Sequence, residues 1–117
     1  MSDLTKFSYD TFKDEPLPGT ADWQLVAMLE DPRGDYEWAE FRAYYSPSAR
    51  RYFWHGDSGC SCNGWGDEVS TADSFENGSR ADLLRAWERF TKDNEYYFGV
   101  AEYLSGMAEI RKFKVVA

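Results

Sequence analysis

The chain has 117 residues, with 21 acidic and 13 basic side chains and a formal net charge of −8. Aromatic residues make up 18% of it, too many for an acidic disordered tail, and no apolar run approaches the ~18 residues of a membrane span. The charge argues against the clustered basic surface that a nucleic-acid backbone requires. Met1 to Phe12 is polar and acidic, without the apolar core of a secretory signal. These bounds leave a single domain over residues 1–117, with 1–21 as an irregular lead-in or a short strand near Phe7–Phe12, closed by Pro16, Pro18 and Gly19.

Residues 22–30 are rich in strand formers, and alternation places Trp23, Leu25, Ala27 and Leu29 on one face. Asp31-Pro32-Arg33-Gly34 reads as a turn. Residues 36–45 alternate again, with Ala39, Phe41, Ala43 and Tyr45 on one side and Glu40, Arg42 and Tyr44 on the other. That is the pattern of a half-buried antiparallel strand. Ser46-Pro47-Ser48-Ala49 is a second turn, and residues 50–55 form a third, aromatic strand. Three strands joined by short turns predict a meander with the Phe41 strand in the middle. Gly56 to Gly66 holds four glycines and reads as an irregular loop. Asp67 to Asn77 reads as a polar connection anchored by Phe75.

Ser79 is a good helix N-cap, and Asp82 three residues on makes a partial capping box. Leu83, Ala86, Trp87 and Phe90 share one stripe, so this helix docks through Trp87 and ends near Asp93-Asn94. Val100, Tyr103, Leu104, Met107 and Ile110 suit a second helix, which Gly106 weakens. The expected fold class is α+β: a three- or four-stranded antiparallel meander packed against two C-terminal helices.

Two groups of residues could carry chemistry. His55, Cys60 and Cys62, with Asp67 or Asp57 as a fourth ligand, have the donor types of a zinc site. Cys-x-Cys is tighter than usual zinc-ligand spacing, however, and the competing reading is two packing cysteines that tie the glycine loop to the core. A disulfide between them would close a small strained ring. The expectation is therefore reduced, mostly buried thiols, no bound metal, no cofactor and a reducing compartment. His55 with Asp57 and Cys60 is a catalytic set on paper only, because spacing alone does not bring them together.

The second group is aromatic and basic. Residues 41–66 are net positive, with Arg42, Arg50 and Arg51 against Asp57, whereas the segments on either side are acidic. If two helices cover only one sheet face, some of Tyr44, Tyr52 and Trp54 lie on the open one. Arg42, Tyr44, Arg51, Tyr52, Trp54 and Trp65 are then the candidate binding contacts, since Trp, Tyr and Arg dominate interface hot spots.

The run Phe41-Arg42-Ala43-Tyr44-Tyr45-Ser46-Pro47, then Arg51-Tyr52-Phe53-Trp54, then Asp57-Ser58-Gly59-Cys60-Ser61-Cys62, resembles a family of small proteins of actinobacterial bacteriophages, classed as a domain of unknown function. The Asp-Ser-Gly-Cys-Ser-Cys block is the most specific part of the likeness. The resemblance carries no catalytic residue over. It implies a phage protein in the host bacterial cytoplasm, where small acidic phage proteins often bind a host protein. The expected function is thus a non-enzymatic module that binds a host or defence protein, and charge and hydropathy argue against nucleic-acid and membrane partners. Three rivals stay open: an acidic mimic of nucleic acid, a small-ligand or nucleotide binder built on the glycine-rich loop, and a metal- or thiol-dependent enzyme.

Overall fold

A computed structural model describes residues 4–31 and 36–115. The turn expected at Asp31-Pro32-Arg33-Gly34 lies, but for Asp31, outside the described residues. The chain opens with a hairpin of β1 (Thr5–Ser8) and β2 (Lys13–Pro16). A four-stranded antiparallel sheet follows in the order β3 (Gln24–Glu30), β4 (Glu37–Ser46), β5 (Arg51–Cys60) and β6 (Glu76–Gly78). Helices α1 (Arg80–Asp93) and α2 (Val100–Lys112) close the chain. The α+β meander with a C-terminal helix pair is therefore as the sequence predicts.

The residue pattern of β4 explains the layering. Ala39, Phe41 and Ala43 face the helices and join a core with Tyr52, Trp54, Leu83, Trp87, Met107 and Ile110. Tyr44 points the other way, into a second core with Leu4, Leu17, Trp23, Val69 and Phe75. The alternation read for β4 therefore holds. That for β3 does not: Trp23 lies in the second core, Leu25 is exposed, and Ala27 and Leu29 lie in the first. A register shift between Leu25 and Ala27 is the reason, because one extra residue reverses the parity of everything beyond it.

Two further readings are corrected. Gly56 to Cys60 is strand, not loop, and pairs with Glu37 to Phe41. Glycine is needed at position 56, where a Cβ would stand 2.6 Å from the Phe90 ring and 2.8 Å from the Phe41 ring. The segment read as polar connection contains β6, whose three residues pair with Tyr52, Phe53 and Trp54 of β5. Phe75 is buried beside it, as expected of an anchor.

Helix α1 starts on a full capping box: Ser79 accepts from the Asp82 N–H at 3.2 Å, and Asp82 accepts from the Ser79 N–H at 3.0 Å. Its Trp87 is fully buried and donates its indole N–H to the Tyr103 carbonyl at 3.1 Å. The ring lies against α2 at Gly106, where a Cβ would come within 1.7 Å of it. Gly106, a weak helix former, is what lets the two helices approach.

Both hairpins with four-residue loops end those loops in the left-handed region: Phe12 at φ 55° and Arg50 at φ 56°. Each donates its N–H to the residue before the loop, Phe12 to Ser8 and Arg50 to Ser46, both at 2.8 Å. A residue with a β-carbon costs about 1–2 kcal/mol there. In the second hairpin, Asp22 secures the loop by accepting from the Ser48 N–H at 2.8 Å and the Ser46 hydroxyl at 3.1 Å. Desolvation pushes the Asp22 carboxyl up, but the Ser48 and Ser46 hydrogen bonds outweigh it and hold it below the ordinary carboxylate range.

Candidate functional site

Strand parity separates the six candidate binding residues. On β4 and β5, Arg42, Tyr44, Arg51 and His55 point to the face away from the helices, while Tyr52 and Trp54 point toward them. Arg42 stacks on Trp65, its guanidinium carbon 4.2 Å from the ring centroid, and bonds Glu40 through Nε. Burial works against the Arg42 charge, yet Glu40 and Tyr44 together raise its pKa above the ordinary guanidinium value. Tyr44 is buried against Trp23 and Phe75, with ring centroids at 5.6 and 6.5 Å. Tyr52 accepts from Arg80 Nε at 2.9 Å, and Trp54 donates to Glu76 at 3.0 Å. Arg51 is exposed and donates to the Asn77 side chain at 2.8 Å.

The expected open sheet face is thus closed. Leu4 and Leu17 from the N-terminal segment, with Trp65, Val69 and Phe75 from the segment after β5, cover it. Tyr44, Tyr52 and Trp54 are core residues, and of the six only Arg42, Arg51 and Trp65 reach the surface. The physical reason is that five residues of the supposed loop extend β5, so the chain re-enters over the sheet instead of leaving it.

The metal and thiol candidates are also dispersed. The His55 ring sits between Trp65 and Phe75, at 5.4 and 6.0 Å. Its buried Nε2 has no hydrogen-bond partner and lies 3.8 Å from the Asp57 carboxylate. The Asp67 carboxylate accepts from the Gly64 N–H at 2.8 Å. Among the described residues, no three His, Cys, Asp or Glu side chains converge as a metal centre. Cys60 and Cys62 are free but exposed, which corrects the expectation of burial. Cys60 ends the strand and Cys62 lies in the turn beyond it, so neither reaches the core. The two thiols are hydrogen-bonded to each other, which lowers the Cys60 pKa and raises that of Cys62.

Accessible apolar surface lies elsewhere. Between the end of α1 and the start of α2 is a groove of about 800 Å³. Its floor is Phe98 and Tyr103, its walls are Tyr96 and Val100, and Glu88, Lys92 and Glu95 stand on its rim. Tyr96 and Val100 are 74% and 73% exposed, and Leu104 one turn on is also exposed. The apolar residues of α2 therefore differ in burial: Met107 and Ile110 lie in the core, while Val100 and Leu104, nearer its start, are exposed. Spacing alone does not separate them, since Val100 and Met107 are i, i+7 and Leu104 and Met107 are i, i+3. A second accessible set, Phe7, Tyr9 and Phe12, lies on the β1–β2 hairpin.

No helix among the described residues is long and apolar enough to cross a membrane. Comparison with curated proteins and with solved structures finds no match. The family model for the domain of unknown function DUF7574 matches residues 18–116, from just after the hairpin to the end of the helix pair, and the chain belongs to that family.

Proposed function

We propose that this chain is a bacteriophage-encoded, non-enzymatic protein-binding module that acts on a host or defence protein in the bacterial cytoplasm. The observation that carries the reading is the apolar groove at the α1–α2 corner. It lies within the family-matched segment, and its volume is that of a site for one or a few side chains. Tyr96 offers a large, stiff contact surface at little entropic cost, and tyrosine is prominent among interface hot spots. With Tyr44, Tyr52 and Trp54 inside the core, this groove replaces the aromatic sheet face as the proposed contact.

The test is affinity capture from host lysate with the intact chain, the Val100→Asp variant and the Tyr96→Ala variant. Both positions are three-quarters exposed, so both variants should keep the far-ultraviolet circular dichroism of the parent. The expected result is a specific host protein enriched by the parent, with affinity lowered by about 2 kcal/mol or more in each variant. Capture unchanged by either substitution, or no specific partner at all, overturns the proposal. Binding that ignores both substitutions but falls steeply with salt would favour an acidic nucleic-acid mimic instead.

A further inference from the structure

The β1–β2 hairpin, which precedes the family-matched segment, sorts its side chains onto two unlike faces. Cross-strand partners share a face, so Phe7 lies with Asp14, while Lys6 lies with Glu15 and Ser8 with Lys13. The rings of Tyr9 and Phe12 pack edge-on against Phe7, with centroids 5.1 and 6.3 Å away. One face of the hairpin therefore carries Phe7 and its cross-strand partner Asp14, Asp10 follows Tyr9 in the loop, and Phe7 also lines a cavity with Arg42 of β4. Both lysines lie on the other face. There Lys6 donates its ammonium to the Asp67 and Val69 carbonyls, at 3.2 and 3.0 Å, and ties the hairpin to the body.

The rings gain little from the chain itself. Tyr9 is 80% exposed and Phe12 77%. Phe12 also holds the left-handed position of its loop, which glycine fills without strain. A large aromatic thus stands where the local backbone disfavours it, mostly exposed and with its ring edge-on to Phe7.

We infer that the aromatic face of this hairpin is a docking surface for a protein whose apolar patch carries lysine or arginine. Such cations are drawn to Asp10 and Asp14 and to the ring faces of Tyr9 and Phe12. Nucleic acid and anionic lipid call for the opposite arrangement, with the lysines beside the rings. The inference adds a second contact to the proposed binding function. Its test involves no groove residue, so either can fail alone.

The test uses the intact isotope-labelled chain and two synthetic amphipathic peptides with identical apolar faces, one bearing Arg and Lys and the other Asp and Glu. Chemical-shift mapping is expected to place the cationic peptide on residues 7–14, with the acidic peptide at least tenfold weaker. Phe12→Gly should weaken the cationic peptide about tenfold while raising the melting temperature by about 4 °C, because it removes the strained β-carbon. Asp10→Lys with Asp14→Lys should abolish the peptide preference. Shifts that map elsewhere on this acidic chain, or equal affinity of the parent and Phe12→Gly, overturn the inference. So does binding of phosphatidylserine vesicles or a single-stranded oligonucleotide at the hairpin in preference to the cationic peptide.

Discussion

At the scale of the residue, environment assigns different chemistry to identical side chains. Cys60 and Cys62 are both exposed, yet the hydrogen bond between them favours the Cys60 thiolate and opposes ionisation of Cys62. The thiolate is the reactive form. Iodoacetamide is therefore expected to label Cys60 first, with the rate rising at a lower pH than for an ordinary thiol. In Cys62→Ala the donor is gone, and the midpoint of the Cys60 pH–rate curve should move upward. Mass spectrometry of the labelled peptide resolves the two sites, and an unchanged midpoint would contradict the shared hydrogen bond. The Cys-x-Cys spacing was legible in the sequence, but exposure was not. It depends on where β5 ends, and that is set by β4 offering partners as far as Glu37.

At the scale of the element, the contact between α1 and α2 turns a poor helix former into a requirement. Trp87→Ala removes a fully buried ring and is expected to cost ~3–5 kcal/mol in urea unfolding, as for other large aromatics lost from a core. Helix propensity alone would make Gly106→Ala stabilising by up to about 1 kcal/mol. The Trp87 ring occupies the space of the new methyl group, so the substitution should instead destabilise by ~1–3 kcal/mol. Combined with Trp87→Ala the ring is absent, and Gly106→Ala should regain its stabilising sign. The same additive loss in both backgrounds would show that the two residues do not compete for space. The helix stripe of Leu83, Trp87 and Phe90 was readable from spacing alone. The role of Gly106 was not, because spacing records which residues are apolar and not what lies against a missing side chain.

At the scale of the whole molecule, β4 and β5 are shared by two cores, one under the helices and one under the N-terminal and post-β5 segments. Trp23 stacks on Phe53 at 4.6 Å and meets Phe75 edge-on at 4.9 Å in the second of these. Because the strands are common to both, loss of packing on one side should be felt on the other. Phe75→Ala is expected to destabilise by ~3–5 kcal/mol and to shift the helical circular dichroism and the tryptophan fluorescence transitions together. Separate midpoints for the two signals would mean that the layers unfold independently.

The strand order β3-β4-β5, the capped first helix and the α+β class follow from the sequence by itself. Each rests on local rules: alternation at period two, a stripe at period 3.6, and a serine–aspartate box at a helix start. The burial of Tyr44, Tyr52 and Trp54 and the exposure of Tyr96 and Val100 were decided only by the tertiary structure. An aromatic side chain is equally suited to a core and to an interface, and the segments that cover it are remote in sequence. Leu4 and Leu17 reach Tyr44 from one side and Val69 and Phe75 from the other. The bulge in β3 is of the same kind. One residue of slippage costs the alternating pattern nothing locally, yet it sends Trp23 and Leu29 to opposite faces, and only the pairing with β4 shows where it falls.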